Sequence, residues 1–206
     1  MLKERKQELV KDTIIKETKR QLLEKGIYKT SLRGIAKELG IAFGNIYYYY
    51  KTKADIADMV WAEYTHNYIK LFKKEMNKSK WQKANGMEKL KYYYSYLFEY
   101  FAENPLYAEL IAFLMGEKPR SVRSPQEIID TADEARDVIK GTLKELYETA
   151  IKDNSIKAVI KDITLEAWSF NIAFTIMIIN IIRYDEMDNE TLDYFVETYF
   201  ERLERM

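Results

Sequence analysis

Between positions 43 and 53 the chain carries Phe43, Gly44, Asn45, Tyr47, Tyr48, Tyr49 and Lys53, with Ser31 and Arg33 shortly before them. This set contains an amide, a hydroxyl, several phenols and two cations, and no carboxylate. Such groups suit a surface facing a nucleic-acid duplex. An asparagine amide reads adenine bidentately in the major groove, and an arginine pairs in the same way with guanine. Phenol hydroxyls and ammonium groups bind phosphate, which fixes register without reading sequence. Gly44 leaves room for the backbone itself to approach. Each residue also has a plainer use. Arg33 equally suits a surface ion pair. Asn45 can satisfy its own backbone, because Ala42 leaves a helix N-cap vacant. Ser31 or Thr30 can cap a helix, and Phe43 and Tyr48 can face solvent.

The elements that must hold these residues are short. Ile35, Ala36 and Leu39 form one apolar helical face, and Ile41 and Ile46 continue it after Gly40. Gly40 can take the positive φ that closes a helix. Two short helices crossing steeply through a tight turn make a helix-turn-helix, and Ala36 is small enough for a close crossing. Tyr50 fits the core of this unit. Thr52 and Asp55 have the spacing of a capping box that opens a further helix.

On these residues the segment resembles the DNA-binding domain of the tetracycline-repressor (TetR/AcrR) family of bacterial transcriptional regulators. The family pattern runs Thr-x-x-x-Ile-Ala, then Gly-Val-Ser-x-Gly-x-Leu-Tyr-x-Tyr-Phe-x-x-Lys-x-x-Leu. Ile35-Ala36, Gly40-Ile41, Gly44, Ile46-Tyr47, Tyr49-Tyr50, Lys53 and Ile56 fill it in register, and the likeness reaches back to Gly26-Ile27-Tyr28. Ala42 departs from the usual Ser, and Tyr50 from the usual Phe. The resemblance implies an all-α chain with a three-helix DNA-binding domain over residues 1–54 and a helical ligand-binding and dimerisation domain over 55–206. It implies a DNA-binding regulator released from a pseudo-palindromic, double-stranded operator by a small molecule. It further implies a homodimer made by the last two long helices, and a phosphate contact for Lys53.

Charge distribution agrees. Net charge is zero, but residues 1–53 hold 13 Lys and Arg against 6 Asp and Glu, so a basic N-terminal module precedes an acidic body. That asymmetry concentrates phosphate attraction at one end. No cysteine is present, which excludes disulfides and thiolate chemistry, and His66 is the single histidine, so the usual zinc ligand sets cannot be assembled. No phosphate loop, serine elbow or His-Asp-Ser arrangement points to an enzyme, and no cofactor is expected. The charged N-terminus lacks a signal core, which fits a cytoplasmic protein. The apolar run Ala167 to Ile182 is shorter than the ~20 residues of a membrane span, so a buried helix is expected there.

Periodicity and punctuation predict about nine helices. The first runs from Lys6 to Lys25 and closes at Gly26. The helix opened by Thr52 runs to Met76, and Asn77 to Gly86 is a loop. Further helices run from Met87 to Ala102 and from Pro105 (after Asn104) to Gly116. A basic loop over 117–123 leads to a Ser124–Glu127 capping box and a helix to Lys152. Two last helices cover Ile156–Arg183 and Asn189–Arg205. The body is unusually rich in tyrosine. An aromatic cavity with a few polar tips is a small-molecule site, and a pocket is expected among Tyr64, Tyr68, Tyr93, Tyr96, Tyr100, Glu109, Phe113, Trp168, Asn171 and Phe174. Its effector would be amphipathic or aromatic, and Glu109 beside aromatics would suit an organic cation. Solid packing of the same aromatics would instead leave a constitutive DNA-binding protein. Tyr194, Phe195, Tyr199, Phe200 and Leu203 supply the expected dimer seam on the last helix.

Overall fold

The computed structural model describes residues 2–117, 124–184 and 189–205. These form ten helices and no strand: α1 Leu2–Lys29, α2 Leu32–Glu38, α3 Phe43–Tyr49, α4 Lys53–Met76, α5 Ser79–Gln82, α6 Gly86–Glu103, α7 Pro105–Gly116, α8 Gln126–Lys152, α9 Ile163–Tyr184 and α10 Asn189–Arg205. The basic loop expected over 117–123 lies, beyond Glu117, outside the described residues.

Local chemistry explains most boundaries. Gly26 interrupts α1 at φ 75°, and helical structure resumes to Lys29. The expected capping box at the head of α4 is formed. Asp55 N donates to Thr52 Oγ1 at 3.1 Å, and Thr52 N donates to Asp55 Oδ2 at 2.9 Å. A second box, Asn85 with Glu88, opens α6. Three expectations change. Asn77–Gly86 contains the short helix α5, which makes ten helices rather than nine. The expected helix from Ile156 begins at Ile163 instead, because Asp162 caps it by accepting from Leu165 N at 2.9 Å. The chain before it pairs elsewhere, with Lys157 N and Ala158 N both donating to Leu203 O. The expected Ser124–Glu127 box uses its side chains differently. The Ser124 hydroxyl donates to Asp55 Oδ1, and the Glu127 carboxylate accepts from Lys11.

Two compact units result, each discontinuous in sequence. The first contains residues 1–64 and 106–134, and the second 65–105 and 135–206. Helices α4 and α8 each run unbroken from one unit into the other. The first unit buries Ile14, Leu22, Ile27, Ile35, Ile46, Tyr50, Ile56 and Val60, together with Leu110 and Ile128. In the second, α6 buries Tyr93, Tyr94, Leu97, Tyr100 and Phe101. There α6 and α8 meet backbone to backbone, since a Cβ on Gly86 would lie 2.2 Å from Ala150 Cα. The opening N–H groups of α6 are taken by Asp153 and Ser155 just beyond α8.

Helix α9 is not the buried helix expected. Over Ile163–Ile182 its mean hydropathy is 1.6, and only 33% of it is buried within the chain. By length and composition alone this stretch could cross a membrane, although Asn171 and Asn180 interrupt it. Leu165, Ile172 and Ile176 are exposed at helical spacing. Of the expected α10 seam, Phe200 and Leu203 are buried within the chain, while Tyr194 is 74% exposed. Phe195 and Tyr199 stack on Phe170 of α9 at 5.4 and 3.6 Å.

Candidate nucleic-acid interface

Helices α2 and α3 are set at a fixed angle by a well-defined turn. The Ser31 hydroxyl accepts from Gly34 N at 3.1 Å, so Ser31 caps α2. Thr30 is buried, and its hydroxyl donates to Gly26 O. At the other end Gly40 has φ 63°, Ile41 N donates to Ala36 O, and Gly40 N donates to Lys37 O. This pair of bonds is a Schellman closure, which needs a left-handed residue at the glycine position. Buried Ile35, Ala36 and Ile46 then clamp the helices together.

One side of α3 is left outward. Phe43, Gly44, Asn45, Tyr47 and Tyr48 are exposed, Tyr49 is half-buried, and Tyr50 is buried. A Cβ on Gly44 would meet nothing within 4 Å, so this surface is open at the backbone. As expected, α3 has no side-chain N-cap at Ala42. Arg33 lies over the Phe43 ring at 5.4 Å, and Phe43 stands 5.8 Å from Tyr47, so cation and rings form one continuous surface.

Two lysines divide the work at the end of α3. Lys51 Nζ donates to Tyr47 O at 2.6 Å and to Tyr48 O at 3.1 Å, closing the helix, and lies 4.9 Å from the Tyr47 ring. Lys53 is half-buried. Its Nζ donates to Ile27 O at 3.0 Å and sits 5.3 Å from the Phe113 ring. The role of Lys51 was missed in the sequence, although a basic residue just past a helix C-terminus is a signal for it.

Residues 14–60 match the family model for bacterial regulatory proteins of the tetR family. That segment is of the tetR-family DNA-binding type. The chain's whole described fold agrees with tetR-family structures and their like. FadR from Bacillus subtilis, solved in complex with stearoyl-CoA, has a TM-score of 0.67 at 21% identity, covering 94% of this chain and 97% of that one. The fatty acid degradation regulator FadR from Bacillus halodurans gives 0.64 at 20%, with the same coverage. A tetR-family regulator from Agrobacterium tumefaciens gives 0.63 at 17%, covering 94% and 96%. A comparison with curated proteins finds no match.

The residues expected around an effector fall in both units. Tyr64, Glu109 and Phe113 are in the first. Tyr64 stacks on Tyr107 at 5.8 Å, Phe113 meets the Tyr28 ring edge-on, and Glu109 is exposed. The other seven are in the second unit. Tyr68 is fully buried, its hydroxyl donates to Tyr93 O at 3.0 Å, and its ring contacts Tyr93, Tyr96 and Tyr100 at 5.3–5.8 Å. Asn67 Nδ2 donates to the Tyr100 hydroxyl at 3.1 Å. Phe174 packs on Tyr94 at 4.9 Å, and Trp168 carries Lys140 over its ring at 5.1 Å. Asn171 is 6% exposed, and its Oδ1 has no hydrogen-bond partner.

Proposed function

We propose that the protein is a dimeric repressor that leaves its operator when a small amphipathic molecule binds. The observation that carries this reading is the exposed strip of α3, with Asn45 and the backbone at Gly44 facing outward between phenols and cations. In this reading residues 1–54 bind DNA, and residues 55–206 bind the effector and form the dimer. Asn45 reads a base edge. Tyr47 and Tyr48 meet phosphate together with Arg33. Lys53 aligns α4 with α1 through Ile27 and keeps donors in hand for a phosphate. The protein works in the cytoplasm, where its operator is.

The dimer rests on α9. Leu165, Ile172 and Ile176 are an apolar stripe that one chain leaves uncovered, and a stripe of that kind marks an interface. A second copy brings a second α3, and two-fold symmetry calls for a pseudo-palindromic operator with half-sites about one helical turn, ~34–36 Å, or more apart.

The effector reading rests on two supports. Asn171 Oδ1 is a buried acceptor without a partner, as a polar tip in an apolar site would be. The similar B. subtilis FadR was crystallised with stearoyl-CoA, so a long-chain acyl-CoA is the first molecule to try. An effector acts only through a difference in affinity between two states of the protein. Helix α4 is the available link, since it starts at Lys53 beside α3 and continues to Met76. A second reading, constitutive DNA binding, is favoured by the internal hydrogen bonding of Tyr68 and Tyr100.

The deciding experiment selects bound sequences from a random duplex pool, then measures affinity for the selected operator with and without stearoyl-CoA. Release by about 5- to 150-fold supports the proposal. Tight acyl-CoA binding that leaves operator affinity unchanged refutes the coupling and leaves the constitutive reading.

A further inference from the structure

The first unit contains an open cleft of about 420 Å³ beside α3, lined by none of the residues assigned to an effector above. Its walls come from four helices. Gln7 and Lys11 are contributed by α1, Tyr48 to Lys51 by the end of α3, Met59 by α4, and Pro125, Glu127 and Ile128 by the head of α8. The volume lies within the ~300–1,000 Å³ range of small-molecule sites.

Three observations specify what would fill it. Tyr50 lines the cleft at 2% exposure, yet its hydroxyl has no hydrogen-bond partner. Burial raises its pKa, with the charges of Glu127 and Asp12 adding to the rise, so it stays a protonated donor. Glu127 is itself a wall of the cleft. A buried donor left unmatched calls for an acceptor. Charge is the second observation. Lys11 and Lys51 line the cleft with one carboxylate, Glu127, which is already taken by Lys11 Nζ at 2.6 Å to both oxygens, while Lys51 Nζ is held by the Tyr47 and Tyr48 carbonyls. Asp12 is exposed. The positive end of the long helix α8 opens at the same place. The lining therefore carries an excess of positive charge. The third is the wall itself, where the rings of Tyr48 and Tyr49 stand 4.9 Å apart near Met59 and Ile128.

We propose that this cleft is a second ligand site, in the DNA-binding unit, for a small aromatic carboxylate. The carboxylate would accept from the Tyr50 hydroxyl and draw Lys11 or Lys51, and the ring would lie against Tyr48, Tyr49 and Met59. This proposal is independent of the effector reading, because no residue is shared between the two sites.

The test titrates the full-length protein, without DNA, with benzoate and with benzamide, following tyrosine and methionine methyl resonances by NMR. Benzoate is expected to shift Met59 and to bind at least about tenfold more tightly than its neutral amide. Tyr50→Phe should weaken benzoate about tenfold, and Lys11→Met should abolish the preference over benzamide. Retained thermal stability of both variants shows that the loss is not unfolding. No shift at about 10 mM benzoate, where even a ~1 mM complex saturates, overturns the proposal. So do equal affinity for benzamide and a Tyr50→Phe variant that binds as before.

Discussion

The Ser124 hydroxyl donates to Asp55 Oδ1 at 2.7 Å, joining residues 69 positions apart within one compact unit. The same carboxylate accepts from Lys51 N and Thr52 N, and it is 2% exposed. One buried side chain thus ties the turn after α3, the head of α4 and Ser124 ahead of α8. Asp55→Ala strands three donors, and denaturant unfolding is expected to show a loss of about 1–3 kcal/mol. Ser124→Ala, which removes one donor and leaves the cap intact, should cost less. Equal losses would show that the cap is not the larger contribution.

Tyr50→Phe should do the opposite. The hydroxyl is buried and unpartnered, so its removal relieves a desolvation penalty and leaves the ring packing in place. A rise in melting temperature of roughly 2–4 °C, equivalent to ~1 kcal/mol for a chain of this size, is expected by calorimetry. A fall would mean that the hydroxyl is satisfied in solution.

Gly44 separates stability from DNA binding. It lies inside α3, and an added methyl meets nothing within 4 Å. Gly44→Ala should therefore stabilise the helix by about 0.5–1 kcal/mol while weakening the operator complex, because the methyl stands where the backbone approaches DNA. Asn45→Ala should relax preference at one base pair by roughly 1–3 kcal/mol. Binding measured across an operator-variant set checks both, and an unchanged preference would remove Asn45 from readout.

The apolar stripe of α9 sets the oligomeric state. Ile172→Glu with Ile176→Glu places two charges where an interface is proposed. Sedimentation should then show a 24.6 kDa monomer where the unaltered chain shows a dimer. A monomeric unaltered chain would end the dimer proposal.

Acid should act at Glu75. Hydrogen bonds from Lys78 and then Lys80 hold its carboxyl down at about 2, against an ordinary 4.5. A group whose pKa is lowered on folding stabilises the fold above its unfolded value, and that contribution is lost as pH falls through the folded one. The melting temperatures of the native chain and Glu75→Gln should differ above pH 4.5 and converge toward pH 2. Curves that stay parallel over that window would exclude the carboxylate as a source of acid sensitivity.

The helix-turn-helix was legible because it depends on neighbours in sequence. Ser31, Gly40, Ile46 and the Thr52–Asp55 box act over a few residues, and the structure uses each of them locally. Pro105 marked the start of α7 for the same reason. The start of α9 was not legible from its apolar pattern, because Asp162 caps it and the preceding chain pairs with Leu203. Composition could say that Tyr64, Glu109 and Phe113 are aromatic or acidic, but not that they join the first unit. That assignment is made by contacts far apart in sequence, such as Tyr64 with Tyr107 and Phe113 with Tyr28, which local pattern does not encode.

The interleaving of the two units has a practical consequence for anyone building chimaeric regulators from this chain. A fragment ending at residue 54 or 64 is not a transferable reading head. Cut at 64, it would lose Phe113 from beside Lys53, Tyr107 from beside Tyr64 and Ser124 from Asp55, all of which return to it from residues 106–134; cut at 54, it would lose Phe113 and Asp55 as well. A graft that changes sequence preference while keeping the fold therefore needs two junctions in addition to the first, one on each side of that returning segment. The smaller alternative is to exchange only the outward residues of α3.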